Sequence, residues 1–439
     1  MEVIRVTNDV PIFYSVDVAV VGGGPAGVAA AVTAARMGVT VFLAEKEQCF
    51  GGMGTSGAVP AFMRFSDGEH FVSGGIGREI FDHMYKEDYT TIEYPIDVEK
   101  LKAVYDCMVV ESGATFLLDT LFIQAMKDKD GIHTLIFAAK EKMFGVKAKI
   151  IIDTTGDGSV AVNAGAMFEK GDENGLMMPA TLCSLWNNVN WDKAILELGK
   201  DPDNRYLKQA FSDGVFSVKD TSLPGMWHLP NDLGGGNIGH VFGIDGTDSA
   251  SITTGIVEAR KRLNEYQYYY NHYLEGYENA KIVSTGHVLG IRETRRIVGE
   301  KRITIKDYLE AKTFEDEIGR YCYPIDVHAV TPNEGKSEHE EKDYKNTGIY
   351  EKGYPKGKSY GIPYGCLLPK GLTNVLVAGR CISTDRQMNG SVRVMPCCYI
   401  TGMAAGAAAA IAIQDMCKLK DIDIAKLRKT LREKGAYLP

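Results

Sequence analysis

Gly22, Gly24 and Gly27 stand in GxGxxG order inside VAVVGGGPAGVAAAVTAARMGVTVFLAE, residues 18–45. Each glycine has a mechanical use. Gly22 permits a tight turn, Gly24 lets the backbone approach a pyrophosphate, and Gly27 allows close helix–strand packing. From Pro25 a helix N-terminus offers unpaired N–H groups and a positive dipole end to phosphate. Glu45, after the second apolar run, is placed to accept hydrogen bonds from a ribose. The frame of strand, turn, helix, strand and acid makes dinucleotide binding the chemistry of this segment.

Two other sets of residues have chemical types in the wrong surroundings. Gly234, Gly236 and Gly239 repeat GxGxxG, but His228 to Asp232 precede them in place of an apolar strand, and no helix opens at Gly239. Cys49 precedes a glycine loop, yet residues 50–60 hold no second cysteine for a redox disulfide. Cys397-Cys398 sit at a helix start, where thiolates are favoured; two small buried side chains are the plainer reading. The nine cysteines form no C-x-x-C, so zinc-ribbon and iron–sulfur spacings are missing and no metal is expected.

The elements that must position the glycines are legible from periodicity. Val18 to Val21 and Val39 to Leu43 read as buried strands around a helix that ends at Gly38. A glycine loop follows at Gly51 to Gly57, then helices over 76–88 and Asp97 to Ser112. Strands at Thr115–Leu118, Thr120–Ala125, 132–138 and 146–152 make a meander, which delivers the Thr155-Gly156-Asp157 turn and a helix from Val160. In Val257 to Leu274 the stripe Ala259, Leu263, Tyr266, Tyr270 and Tyr273 reads as core. Lys336 to Tyr350 is polar and reads as an exposed loop or lid. Asn374 to Arg380 brings a last apolar strand to a glycine turn, ahead of an Ala-rich helix.

With 439 residues the chain can bury a large core in more than one domain. The net charge of −8 speaks against nucleic acid as the main partner. The N-terminus lacks the apolar region of a signal peptide, and Met403 to Ile413 is too short to span a bilayer. A cytoplasmic setting is expected; the oligomeric state is not set by the sequence.

The first strand–helix–strand unit, IIDTTGDGSVAVNAGA at 151–166, GIRETRRIVGE at 290–300, LVAGRCIS at 376–383 and SVRVMPCCYITGMAAGAAAA at 391–410 follow one another in that order. Together they resemble the bacterial FAD-dependent oxidoreductases of the glutathione-reductase and fumarate-reductase flavoprotein type. The resemblance implies an α/β fold: a Rossmann-like FAD-binding domain of the glutathione-reductase type carrying an inserted α+β substrate domain. Residues 1–165 would be the first part of the FAD domain, 166–354 the inserted substrate or cap domain, 355–417 the return segment, and 418–439 a helical tail.

By the same resemblance, Gly22, Gly24, Pro25, Ala26 and Gly27 would hold the FAD pyrophosphate, and Glu45 the adenosine ribose with Lys46 beside it. Gly51, Gly52 and Thr55 would wrap the isoalloxazine side, and Phe122 would reach the adenine through its backbone. Thr155, Gly156 and Asp157 would pack on the adenosine half, with Gly379 and Arg380 near the ribityl chain. Val392 to Met395 would approach as an extended segment and Pro396 would open the last helix toward the flavin N1/O2 edge. Arg393 would add positive charge there or bind a substrate carboxylate; a surface salt bridge is the alternative.

Flavin chemistry on a small molecule needs a group to orient the substrate and often a base to take its proton. In GIRETRRIVGE, strand alternation would put Arg292 and Arg296 on one face, suited to carboxylate or sugar oxygens. A structural strand paired with Glu293 and Glu300 is the alternative. In Tyr323-Pro324-Ile325-Asp326-Val327-His328, His328 is the candidate base, oriented by Asp326 or a neighbour; His287 and Tyr364 are further candidates. The expected activity takes a hydride from a small organic substrate into non-covalent FAD, which a separate acceptor reoxidises. The alternative is a flavin-bearing binding or redox-sensing protein without turnover.

Overall fold

A computed structural model describes residues 3–5, 7–86, 93–198, 205–221, 225–332 and 353–439. The Lys336–Tyr350 stretch lies outside the described residues.

Strand β1, Ile12–Val21, is buried over its last four residues. The chain turns at Gly22, where φ is +99°, into helix α1, Pro25–Arg36, and leaves that helix through Gly38 at φ +86°. Strand β2, Val41–Ala44, returns parallel to β1. Helix α2, Val98–Ser112, is capped by the Asp97 carboxylate, which accepts the Lys100 N–H. Strand β3, Thr115–Leu117, then joins β2. The expected meander is present as β4, Thr120–Asp128, β5, Gly131–Ala139, and β6, Lys142–Asp153. Strand β6 lies parallel to β1 and antiparallel to β5.

The result is one seven-stranded sheet in the order β3-β2-β1-β6-β5-β4, with a late strand, Val375–Val377, also paired to β6. It is a mixed α/β fold with parallel strands, consistent with a Rossmann-like FAD-binding fold. Register places the strand ends together. Val21 lies beside both Ala44 and Asp153, and Val377 beside Asp153, so four strands end at one edge of the sheet. The loops that leave that edge carry the glycine turn, Glu45, Thr155–Asp157 and Gly379–Arg380, as ligand loops do in open α/β sheets.

After helix α3, Ser159–Asn163, a second buried cluster gathers around Trp186, Tyr266, Tyr269, Tyr270 and Tyr277. Its sheet contains β7, Ser184–Asn187, β8, Met226–Leu229, β9, Leu233–Gly236, and β10, Lys281–Thr285, covered by helix α4, Ser249–Tyr273. Gly234 and Gly236 are strand residues of β9 paired to β7 and β8, so their GxGxxG spacing is not a phosphate turn. The stripe on α4 is core at Ala259, Leu263, Tyr266 and Tyr270, and Tyr273 is partly buried at its edge. Ile297, Ile303, Tyr308, Ile318 and Tyr321 pack instead in the first cluster. The buried side chains of 166–354 therefore divide between the two cores.

Two expectations about the end of the chain change. Val392 closes a helix, α5, Arg386–Val392, and Arg393 keeps helical angles; only Val394 is extended before α6, Met395–Gln414, begins. The extended segment expected at Val392–Met395 is thus a single residue, because Asp385 caps α5 through the Met388 N–H. Helix α6 spans twenty residues, long and apolar enough to cross a membrane by length and composition, but 94% of its apolar window is buried inside the fold. Glycine makes that burial possible. A methyl group at Gly402 or Gly406 would overlap the carbonyl oxygens of Ala26 and Ala30, so α6 lies backbone to backbone along α1.

Candidate functional site

The four loops at the strand ends open into a cavity of about 790 Å³ that continues toward the second core. At the sheet end its wall holds Gly22, Gly24, Pro25 and Ala26 of the first turn, then Glu45 and Lys46, then Gly52. Phe122 of β4, Thr155, Gly156, Asp157, Gly379 and Arg380 complete that end, and Arg393 and Met395 stand at the start of α6. Gly27, Gly51, Thr55 and Arg296 do not reach the cavity surface. Gly27 presses on the carbonyl of Gly22, and Gly51, at φ +105°, makes room for Tyr105 and Thr55. These two glycines shape the turn from behind.

The residues fit FAD on three observations. A Cβ added at Gly24 would meet no atom within 4 Å, so the turn leaves open space where a phosphate approaches. Helices α1 and α6 both start without a side-chain cap, so their first N–H groups are available at the cavity. The Glu45 carboxylate is held rigid by the N–H groups of Gly23 at 2.5 Å and Glu47 at 2.8 Å, at the rim where a ribose would lie. Burial raises the Glu45 acid above its ordinary value, and the two N–H donors oppose that rise.

Asp153 organises the third loop, a role that residue type and spacing did not single out. It is fully buried, its carboxylate accepting the N–H and hydroxyl of Thr155 on one oxygen and the N–H groups of Val160 and Ala161 on the other. Its position at the end of an apolar strand before a Gly-rich turn was the available signal. Arg380 then ties two loops together. Its guanidinium meets Asp157 at 2.6 Å and donates to the carbonyls of Gly156 at 3.0 Å and Ile291 at 2.5 Å.

The far end of the cavity is lined by Arg292, Asp326, His328 and Arg393, brought together from three separate stretches of chain. Arg393 Nη2 donates to the Asp326 carboxylate at 2.9 Å and to its carbonyl at 3.0 Å. His328 Nε2 lies 3.2 Å from the other Asp326 oxygen, and its Nδ1 lies 3.1 Å from Nε2 of His240. His240 Nδ1 in turn lies 3.1 Å from Asp220, behind the cavity wall. Asp326, His328, His240 and Asp220 therefore form one row. His240 and Asp220 were not legible: they stand 20 residues apart, one in a short strand and the other in a loop, with no motif linking them to His328.

Burial pulls His328 down to about 4, helped by the charge of Arg292 and opposed by Asp326. Burial also lowers His240, against the pull of Asp220. Asp326 is held well below its ordinary value: burial would raise it, but His328, Arg393 and Arg292 outweigh that effect. The neutral row carries one proton per ring for three contacts. One proton joins the two rings. The row ends on a carboxylate at each side, the deeply buried Asp220 (side chain 5% exposed) behind the wall and Asp326, 37% exposed and paired with Arg393, at the cavity.

Arg296 is elsewhere. The strand expected across 290–300 is only Arg295–Ile297, paired to Phe168–Lys170, so alternation does not carry back to Arg292. Arg296 donates to the carbonyl of Gly171 and faces Glu169 at 3.8 Å. His287 lines the cavity, whereas Tyr364 is buried against the carbonyl of Leu419. Burial raises both thiols of the vicinal pair, Cys398 to about 12, so neither is a thiolate at the helix start.

No curated protein matches the chain in sequence. Among solved structures, a geranylgeranyl bacteriochlorophyll reductase-like protein from Thermoplasma acidophilum is similar over 96% of this chain and 84% of its own, at 14% identity and a TM-score of 0.51. The p-nitrophenol 4-monooxygenase of Pseudomonas putida DLL-E4 is similar over 97% of this chain and 87% of its own, at 13% identity and a TM-score of 0.47. A myxobacterial chondrochloren halogenase, described as FAD-dependent, follows at 11% identity over 96% and 79%, with a TM-score of 0.41. The first likeness shows the shared fold. The model of the FAD dependent oxidoreductase family matches residues 17–431, nearly the whole chain. The protein is a flavoenzyme with FAD as its cofactor, and it belongs to the FAD-dependent oxidoreductase family.

Proposed function

We propose that this enzyme oxidises a small organic substrate at the far end of the cavity, and that His328 and Asp326 take the substrate's proton. The observation that carries the reading is the pairing of His328 Nε2 with the Asp326 carboxylate, 3.2 Å apart on the wall of the same cavity that the glycine loops line. FAD, when bound, supplies the acceptor for a hydride. The substrate's C–H bond breaks with its electron pair leaving as hydride, its X–H proton passes to the His328–Asp326 pair, and a C=X bond forms. A separate acceptor later removes the electrons. General-base catalysis of this kind contributes about 10²–10⁴-fold.

In this reading the sheet-end residues hold the dinucleotide, with the pyrophosphate over Gly24 and the start of α1. Residues 1–165 and 355–417 form one FAD domain of the glutathione-reductase type, 166–354 the inserted substrate domain, and 418–439 the helical tail. The return of Val375–Val377 to strand β6 supports the first part, and the separate core around Trp186 supports the second. Within 166–354, Ile297, Ile303, Tyr308, Ile318 and Tyr321 pack in the first core, whereas the buried residues from Ala180 to Leu289 gather mainly in the second.

The test is anaerobic. The yellow protein is mixed with a panel of alcohols, amines and organic acids, and bleaching of the flavin band is followed. Donors that bleach the wild type should bleach Asp326→Asn and His328→Gln at least about a hundredfold more slowly, with FAD retained. Equal rates in both variants would remove His328 and Asp326 from the chemistry.

A further inference from the structure

Arg292 is a buried cation that the fold supplies with neutral partners. Its residue is 7% exposed, Nη1 donates to the carbonyl of Pro179 and the hydroxyl of Thr181, both at 2.8 Å, and Nη2 reaches the amide oxygen of Asn237 at 3.3 Å. Among the described residues no carboxylate stands within ion-pair distance of it. Two neighbouring carboxylates are already engaged: Asp326 with Arg393 and His328, and Asp220 with His240. The other ionisable side chains at this end do not supply an anion to Arg292. Burial pushes the Cys183 thiol up to about 12, and Glu93 accepts the Trp227 N–H at 2.7 Å.

Burying a guanidinium without an anion is costly, and arginine's planar fork matches a carboxylate in two parallel hydrogen bonds. Arg292 lines the cavity beside the His328 site and keeps its Nε and one Nη2 hydrogen without an acceptor among the described residues. The three neutral acceptors fix the fork in place, since Pro179 and Thr181 hold Nη1 from one side and Asn237 holds Nη2. Such a guanidinium is preorganised for a ligand anion, because its orientation is settled before the ligand arrives. We propose that Arg292 binds the carboxylate of the substrate, so that the enzyme acts on small organic acids. The inference deepens the function proposed for this cavity and rests on it.

Arg393 does not take this part. Its Nη2 is committed to Asp326, and its charge is balanced there. The two cations lie close enough to disfavour one another, and only one of them has a carboxylate. An incoming anion would therefore meet its charge deficit at Arg292.

The experiment uses the FAD-loaded protein and needs no natural substrate. Benzoate, acetate and lactate are titrated against the flavin absorption spectrum, with benzamide as the uncharged isostere of benzoate. A saturable spectral change with at least one carboxylate, and a response to benzamide at least tenfold weaker than to benzoate, is the expected result. Arg292→Gln should weaken carboxylate binding at least tenfold with FAD retained. Should that variant lose FAD, Arg292→Lys, which keeps the charge and loses the fork, and Thr181→Val, which removes one of the two Nη1 acceptors, are expected to weaken binding in the same assay. A yellow wild type whose spectrum ignores every carboxylate would overturn the proposal while leaving the flavoenzyme reading intact. Unchanged binding in the folded Arg292 variants would overturn it as well, and would make Arg292 a structural cation. A protein that takes up no FAD would sink the underlying reading and this inference with it.

Discussion

The ring of His328 meets that of His240 edge to face, with Nδ1 3.1 Å from Nε2 and the ring planes at 89°. One proton must lie between them, so the protonation of either ring sets that of the other. Removing the second ring should therefore be felt at the first. In His240→Gln or Asp220→Asn, the ring nitrogens of His328 should change their ¹⁵N shifts, and flavin bleaching by an active donor should slow by about tenfold or more. A His328 spectrum untouched by both changes would mean the row does not act as a unit.

Acid should destabilise the protein through His328. Its value is lowered from 6.5 to about 4 in the fold, so the neutral ring is the favoured form. The stability this contributes is full above pH 6.5 and is lost as pH falls toward 4, on the order of 2–3 kcal/mol. Asp326, also lowered, loses its contribution at still lower pH, below 3.8. Thermal melts between pH 7 and 4 should fall less steeply for His328→Gln than for the wild type.

A ligand carboxylate should bind together with a proton. Burial, Arg292 and His240 hold His328 down, while Asp326 pulls the other way. An anion on Arg292 offsets its charge and raises His328. Benzoate affinity should then rise as pH falls from 7 to 5, and calorimetry in buffers of different ionisation enthalpy should register net proton uptake. Affinity that is flat with pH would break the link between the two residues.

Arg380→Gln should loosen the nucleotide end. The residue holds Asp157 at 2.6 Å and two loop carbonyls, with its side chain only 15% exposed. Loss of this paired, largely buried cation strips the Asp157 carboxylate of its counter-charge and leaves it the Thr294 hydroxyl at 2.8 Å. A rise of at least about tenfold in the FAD dissociation constant is expected from flavin fluorescence, equivalent to ~1.4 kcal/mol. Arg296→Met makes the contrast: it lies off the cavity, so FAD and carboxylate binding should stay within about twofold while the melting temperature shifts.

Much of the nucleotide end was legible because its physics is local. Gly22, Gly24 and Glu45 lie within one strand–turn–helix–strand unit, and their spacing alone puts them on one edge. The far end was legible only in parts. Arg292 and His328 could be nominated by type, but strand periodicity wrongly joined Arg292 to Arg296, since the strand is three residues long. His240 and Asp220 reach His328 through tertiary packing of the second core, which leaves no local pattern. The tight seam between α1 and α6 was equally hidden: Gly402 and Gly406 look like ordinary members of an Ala-rich helix until Ala26 and Ala30 are seen beneath them.

That seam has an electrostatic consequence. Ala26 faces Gly402 and Ala30 faces Gly406, so the two helices run in the same direction, and the start of α6 at Met395 projects roughly 9 Å beyond the start of α1 at Pro25. Each end carries roughly half a positive charge, and parallel dipoles held this closely repel. The pair is frustrated until an anion arrives. Anionic groups of one ligand at these two ends would act as the missing counter-charge for the scaffold itself, so FAD would be a structural ion as well as a reagent. The unloaded protein should gain stability from added phosphate or sulfate, and the loaded protein should gain much less.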